Sequence, residues 1–232
     1  MLKSINLFKQ SARPMIVVGV ALVASSLACA LPFGSNLEPG ELYKDDFSSE
    51  SSGWSHSTDD TGSLEYENGE YVFRINESQY ITWGLLDEEE FENIRVEVEV
   101  MERTPPSDDQ PTFGIMCHYQ DSNNYYYGGF GADGYYALIK YENGEDIFLS
   151  DPAEGLWQPT DAIATAQEKY KLEMECANGS IKLLVDGEVI AEAEDSSFSR
   201  GQIGLFVLTF DNPEAHVAFD NIRVLDANFT GN

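Results

Sequence analysis

The segment FGIMCHYQDSNNYYYGGFGADGYYALIKYENGE, Phe113 to Glu145, is rich in aromatic residues and is broken by tight-turn residues. Thr112 to Tyr119 and Tyr135 to Tyr141 read as strands, in which successive side chains point to opposite faces. Asp133-Gly134 and Asn143-Gly144 supply the positive φ angles that tight hairpins need.

The same pattern extends outward in both directions. Glu70 to Ile75, Ile94 to Met101, Tyr170 to Cys176, Ser180 to Val185 and Ile203 to Phe210 read as further strands. Asn68-Gly69, Asn178-Gly179 and Asp186-Gly187 read as further turns. Many short strands with almost no helical pattern specify an all-β antiparallel sandwich or barrel. Ala162 to Lys169 predicts one short helical turn, and the acidic run Asp87 to Glu90 a solvated loop.

The N-terminus reads as an export signal. Lys3, Lys9 and Arg13 precede the apolar run Met15 to Ala24 and then Ser25-Ser26-Leu27-Ala28-Cys29. About ten apolar residues are too few to span a bilayer, and small residues precede a cut. Cys29 after Leu27-Ala28 resembles the lipobox of bacterial lipoproteins, with Ser26 where that motif usually has Leu. The resemblance implies lipidation of Cys29 and a membrane-anchored protein facing the periplasm or cell exterior. The alternative is an ordinary signal peptide cut near Ala28 or Ala30. The organisation is then signal 1–28, a Pro- and Gly-bearing tether 29–41, one domain 42–227 and a tail 228–232.

The whole chain carries a formal charge of −28. Loss of the signal's three basic residues leaves 10 Lys and Arg against 41 Asp and Glu, a net −31. Such a field repels phosphate and excludes nucleic acid as a partner, leaving neutral glycans, cations or basic proteins.

Two cysteines remain besides Cys29. Cys117 shares a face with Phe113, Ile115 and Tyr119, and Cys176 with Tyr170, Leu172 and Met174. Two inward thiols in an oxidising compartment read as a buried disulfide. A metal or redox pair would call for a CxxC spacing or a nearby His cluster, and the sequence has neither.

The segment quoted above resembles known proteins when joined to DDFSSESSGW (Asp45–Trp54), GEYVFRI (Gly69–Ile75), GQIGLF (Gly201–Phe206) and AFDNIRV (Ala218–Val224). Together these motifs resemble the concanavalin A-like lectin/glucanase superfamily. More narrowly they are similar to jelly-roll domains of the 3-keto-disaccharide hydrolase (LamG-like) type. The resemblance covers Leu42 to Ala227 and implies a two-sheet antiparallel jelly-roll sandwich. Its motifs are structural, and this fold hosts lectins, hydrolases and adhesion modules alike.

Three constellations are candidates for chemistry. Glu97 and Glu99, with Arg95, lie on the polar face of one strand, and the resemblance implies that a glucanase would use such a pair as nucleophile and acid. Retaining chemistry needs carboxyls about 5–5.5 Å apart. Met101 stands where glucanases usually add a third acid, and cross-strand pairing with Lys171, Glu173 and Glu175 explains the same residues structurally. The second constellation is aromatic. With Cys117, Ala137 and Ile139 taken as inward, Tyr126, Tyr136, His118 and Lys140, joined by Trp157, form an outward patch suited to sugar C–H faces. The third is a calcium ion held near the terminal strands by Asp46 and Asp220, with Asp45 and Asn221 beside them. The three histidines have no zinc-ligand spacing, and the glycines Gly128 to Gly131 precede no helix that would cradle phosphate. The expected function is a non-catalytic surface module for carbohydrate or cell-wall glycan. The alternatives are a glycoside hydrolase using Glu97 and Glu99, or a structural or adhesion domain without a small ligand.

Overall fold

The computed structural model describes residues 37–230 apart from 88, 106, 108 and 166. The signal segment and Cys29, with its expected lipidation, lie outside the described residues.

Seventeen strands occur among the described residues: β1 Glu41–Asp45, β2 Ser57–Asp59, β3 Gly62–Glu67, β4 Glu70–Asn76, β5 Ile81–Leu85, β6 Phe91–Glu92, β7 Ile94–Glu102, β8 Thr112–Asp121, β9 Asn124–Gly131, β10 Tyr135–Glu142, β11 Glu145–Phe148, β12 Gln158–Pro159, β13 Tyr170–Ala177, β14 Ser180–Val185, β15 Glu188–Glu194, β16 Arg200–Leu208 and β17 Glu214–Asp226. They form two antiparallel sheets. The first runs β15-β14-β13-β7-β17-β4-β3-β2, with β1 also on β17. The second runs β11-β10-β9-β8-β16-β5, with β12 on β10 and β6 on β16.

The turn chemistry follows the dipeptides. Asn68, Asn143, Asn178 and Asp186 all have φ of 50–54°, each followed by a Gly at 79–85°. In the Ala132-Asp133-Gly134 connection only Gly134 is positive, at 92°, so that hairpin uses one left-handed residue instead of two. Ala162 to Lys169 forms turns and no helix among its described residues. Pro159 and the pairing of β12 with β10 pull that region along the sheet edge.

The core lies between the sheets and follows strand alternation. On β7, Ile94, Val96, Val98 and Val100 are buried in the main core while Arg95, Glu97 and Glu99 face outward. Facing them from the second sheet are Phe113 and Ile115 of β8 and Leu205 and Val207 of β16. Each such side chain removed from water contributes roughly 1.5–3 kcal/mol. Cys117 on β8 and Cys176 on β13 are disulfide-bonded across the sandwich, with Cα atoms 6.7 Å apart and both side chains fully buried. The expected staple is therefore present, and it joins the two sheets.

Candidate functional site

The second sheet is apolar on both faces, and its cross-strand register determines what each face presents. Phe113 pairs with Phe130 and Phe130 with Tyr136; Ile115 pairs with Gly128 and Gly128 with Leu138; Cys117 pairs with Tyr126 and Tyr126 with Lys140. Residues directly opposite share a face, so the entire set points toward the interior with Cys117. Tyr126 is fully buried in the main core, and Tyr136 packs partly buried against it. Ala137 and Ile139 point the other way.

The expected outward patch of Tyr126, Tyr136, His118, Lys140 and Trp157 therefore does not form. Ala137 and Ile139 were natural inward markers, but both faces of β10 carry apolar side chains, so alternation alone cannot say which is the core. His118 departs for a different reason. It has φ +50°, and the β8–β9 register shifts between Cys117 and Asp121, which is a bulge at His118. The bulge sends Tyr119 to the outer face and leaves His118 buried beside Tyr126 at a ring separation of 6.1 Å. His118 Nδ1 hydrogen-bonds the Phe198 carbonyl at 3.0 Å, and burial lowers its pKa. Lys140 is also buried; its ammonium reaches Asp195 at 3.1 Å and the Ser197 hydroxyl at 3.0 Å. Four of the five named residues thus brace the interior, and only Trp157 belongs to the outer face.

The outer face carries a different aromatic set. Met116, Tyr127 and Phe206 form its buried floor, and Trp83, Tyr119, Tyr141, Phe148, Trp157 and Phe210 pack half-buried upon it. Tyr119 stacks on Tyr125 at 5.4 Å, Tyr125 meets Tyr141 at 5.0 Å, and Trp83 lies 6.5 Å from Tyr125. At the other end Trp157 meets Phe210 edge-on at 5.7 Å. Gly114 makes room for this layer, because a Cβ there would collide with the Phe206 ring. The Tyr127 hydroxyl donates to Asp146 Oδ1 at 2.8 Å, which places a carboxylate on the same face. The signal for this surface was available in Trp83, Phe206 and Phe210, which lie outside the tyrosine-rich segment and align with it only once strands pair.

Glu97 and Glu99 sit on the outer face of the other sheet, on the opposite side of the sandwich. Glu97 is ion-paired with Arg95 at 3.3 Å, Lys171 at 3.1 Å and Arg223 at 3.6 Å. Glu99 pairs with Lys169 at 2.8 Å and accepts from Asn221 at 2.7 Å. Those two donors hold the Glu99 carboxyl below its ordinary range. Glu173, with no solvent exposure, lies between Arg95 at 2.9 Å and Lys171. This is the cross-strand ion-pair network that the alternation suggested.

The terminal acids bind locally. Asp46 accepts from the Ser48 amide and hydroxyl, and Asp220 from Asn221. Among the described residues no three His, Cys, Asp or Glu side chains gather to hold a metal ion.

The architecture is a concanavalin A-like two-sheet sandwich. No protein-family model matches the chain, and no curated protein matches it. Solved structures do. Carbohydrate binding module CBM66 from Bacillus subtilis is 20% identical, with a TM-score of 0.55 over 75% of this chain and 96% of that one. A Bacillus subtilis protein of unknown function with a galectin-like fold is 15% identical, with a TM-score of 0.58 over 82% and 97%. The catalytic domain of an endo-1,3-beta-glucanase (laminarinase) from Thermotoga petrophila is 10% identical, with a TM-score of 0.55 over 82% and 98%.

Proposed function

We propose that this protein binds carbohydrate through the aromatic outer face of its second sheet and does not cleave what it binds. The observation that carries this reading is the half-exposed row of Trp83, Tyr119, Tyr141, Phe148, Trp157 and Phe210 on one sheet face. Sugars present apolar C–H faces and peripheral hydroxyls, which suit aromatic rings flanked by phenol and carboxylate groups. A contiguous apolar surface of this kind on an otherwise highly charged protein marks an interaction site. The structural neighbours include a carbohydrate binding module and a glucanase, so the architecture supports binding and hydrolysis alike. Glu97 and Glu99 favour binding alone. A general acid needs a raised pKa, whereas Glu99 is held low by Lys169 and Asn221. Glu97 is committed to three cations, and both acids are on the sheet remote from the aromatics.

The protein is further inferred to be exported and tethered through Cys29. The buried Cys117–Cys176 disulfide supports an oxidising compartment. Membrane fractionation of wild type against Cys29→Ala tests the tether: release only of the variant supports it, and equal release of both refutes it. A glycan array read for binding and for reducing-end release tests the function. Binding abolished by Trp83→Ala and kept by Glu97→Gln is the expected result. Turnover lost in Glu97→Gln would favour the hydrolase, and no glycan bound at all would favour an adhesion role.

A further inference from the structure

We propose that the aromatic face selects glycans bearing free ammonium groups, amino sugars without N-acylation, over their neutral counterparts. This rests on the carbohydrate-binding reading above and concerns which sugar that face takes.

Each of the ten Lys and Arg side chains among the described residues lies within 3.4 Å of a carboxylate. Eight of the ten belong to the first sheet or its flanking residues. Lys140 is on the second sheet but turns to the interior side toward Asp195, and Arg200 sits at the start of β16 with Glu90 and Glu92. No Lys or Arg among the described residues therefore stands on the aromatic face.

Carboxylates do stand there. Asp146 pairs across the strand with Tyr141, so the two share the face, and it accepts the Tyr127 hydroxyl. Asp121 follows Tyr119 at the end of β8, and its charge acts on that tyrosine. The Asp146 carboxyl is crowded by the rings although the residue as a whole is exposed, and this desolvation raises its pKa. An ammonium bound beside it offsets that cost by direct charge pairing. The same ammonium is attracted by the negative faces of Tyr and Trp rings. At longer range, the −28 formal charge of the chain draws cations toward the protein and repels acidic sugars. A neutral sugar uses the rings and the hydrogen-bonding groups of this surface; a protonated amino sugar also uses its negative charge.

The test titrates the full chain with a β-linked glucosamine tetramer and with its N-acetylated counterpart. The pH is set near 6, below the amine pKa (about 7.7–8.0 for an α-amino group). The glucosamine tetramer is expected to bind about tenfold more tightly. That margin should shrink with added salt and in Asp146→Asn. Salt dependence in the wild type keeps the test decisive even if the variant folds poorly. Equal affinity, or preference for the acetylated tetramer, overturns the inference and leaves the carbohydrate reading intact. Binding of neither tetramer nor any other glycan overturns both. Equal binding of an oligolysine peptide and the glucosamine tetramer would also overturn it, since the face would then read charge without sugar.

Discussion

The phenol of Tyr126 donates to Asp195 Oδ1 at 2.5 Å, while its oxygen accepts the Phe198 amide at 3.1 Å. Lys140 reaches the other Asp195 oxygen at 3.1 Å. One tyrosine in the core and one aspartate in the chain after β15 thus lock the second sheet to the end of the first. Tyr126→Phe should lower stability by about 1.5–3 kcal/mol, the usual worth of a hydrogen bond to a charged partner. Denaturant midpoints measure this. Glycan affinity should not change, and a loss of affinity at unchanged stability would return Tyr126 to the binding surface.

The same cluster predicts an acid limb in stability. Burial opposes ionisation of Asp195, but hydrogen bonds from Tyr126, Ser197 and Lys140 outweigh it and hold the carboxyl at about 2. A depressed carboxyl contributes stability above its unfolded pKa, and that contribution fades as pH falls from about 4 toward 2. His118, whose pKa burial lowers, acts earlier in an acid titration. Its unfolded form takes up a proton first, so stability begins to fall as pH drops through about 6.5. His118→Gln should flatten the limb that begins near pH 6.5 and leave the one below pH 4. Thermal unfolding at a series of pH values separates the two.

Replacing both Cys117 and Cys176 by Ser should cost roughly 4 kcal/mol, because the bond closes a loop across a sequence separation of 59 residues. Urea unfolding of wild type with and without reductant should show a shift of the same size. Unchanged midpoints on reduction would remove the staple from the stability of this fold.

Glu173 has no solvent exposure and is held by Arg95 and Lys171, which keep partial access to water. Glu173→Ala should cost about 2–3 kcal/mol, less than the 3–5 of a pair buried on both sides. Glu97→Gln is expected to cost under about 1 kcal/mol, since its partners retain other carboxylates. Neither should alter glycan binding, and a change in affinity in either variant would argue for a site on this sheet.

Trp157→Ala and Tyr136→Ala should separate the two faces of the second sheet. Trp157 packs half-buried on the outer aromatic layer, so its removal should weaken glycan binding by tenfold or more, corresponding to about 1.4 kcal/mol, with a modest effect on stability. Tyr136 packs against the main core, so its removal should lower stability and spare affinity. Calorimetric titration and unfolding of the two variants read both quantities; the opposite pattern would reverse the assignment of faces.

Seven of the seventeen strands among the described residues, and the tight turns, were legible in the sequence because they depend on local chemistry. Ser180–Val185 occurs as read, Asn-Gly and Asp-Gly pairs make their hairpins, and the Ile94–Met101 run divides into apolar and charged faces in β7. There one face is Ile and Val and the other is Arg and Glu, so water itself selects the orientation. The Cys117–Cys176 staple was legible for the same reason, since each thiol rides on an apolar side of its strand. The orientation of the second sheet was decided only in three dimensions. Both faces of β9 and β10 carry tyrosines and aliphatics, so burial of either satisfies a single strand, and the choice falls to cross-strand register with Cys117 and Phe113. The bulge at His118 then moves Tyr119 across the sheet, a one-residue slip that alternation cannot anticipate. Trp83 and Phe210 join the tyrosines because β5 and β16 pair beside β8, bringing together residues separated by more than a hundred positions in the chain.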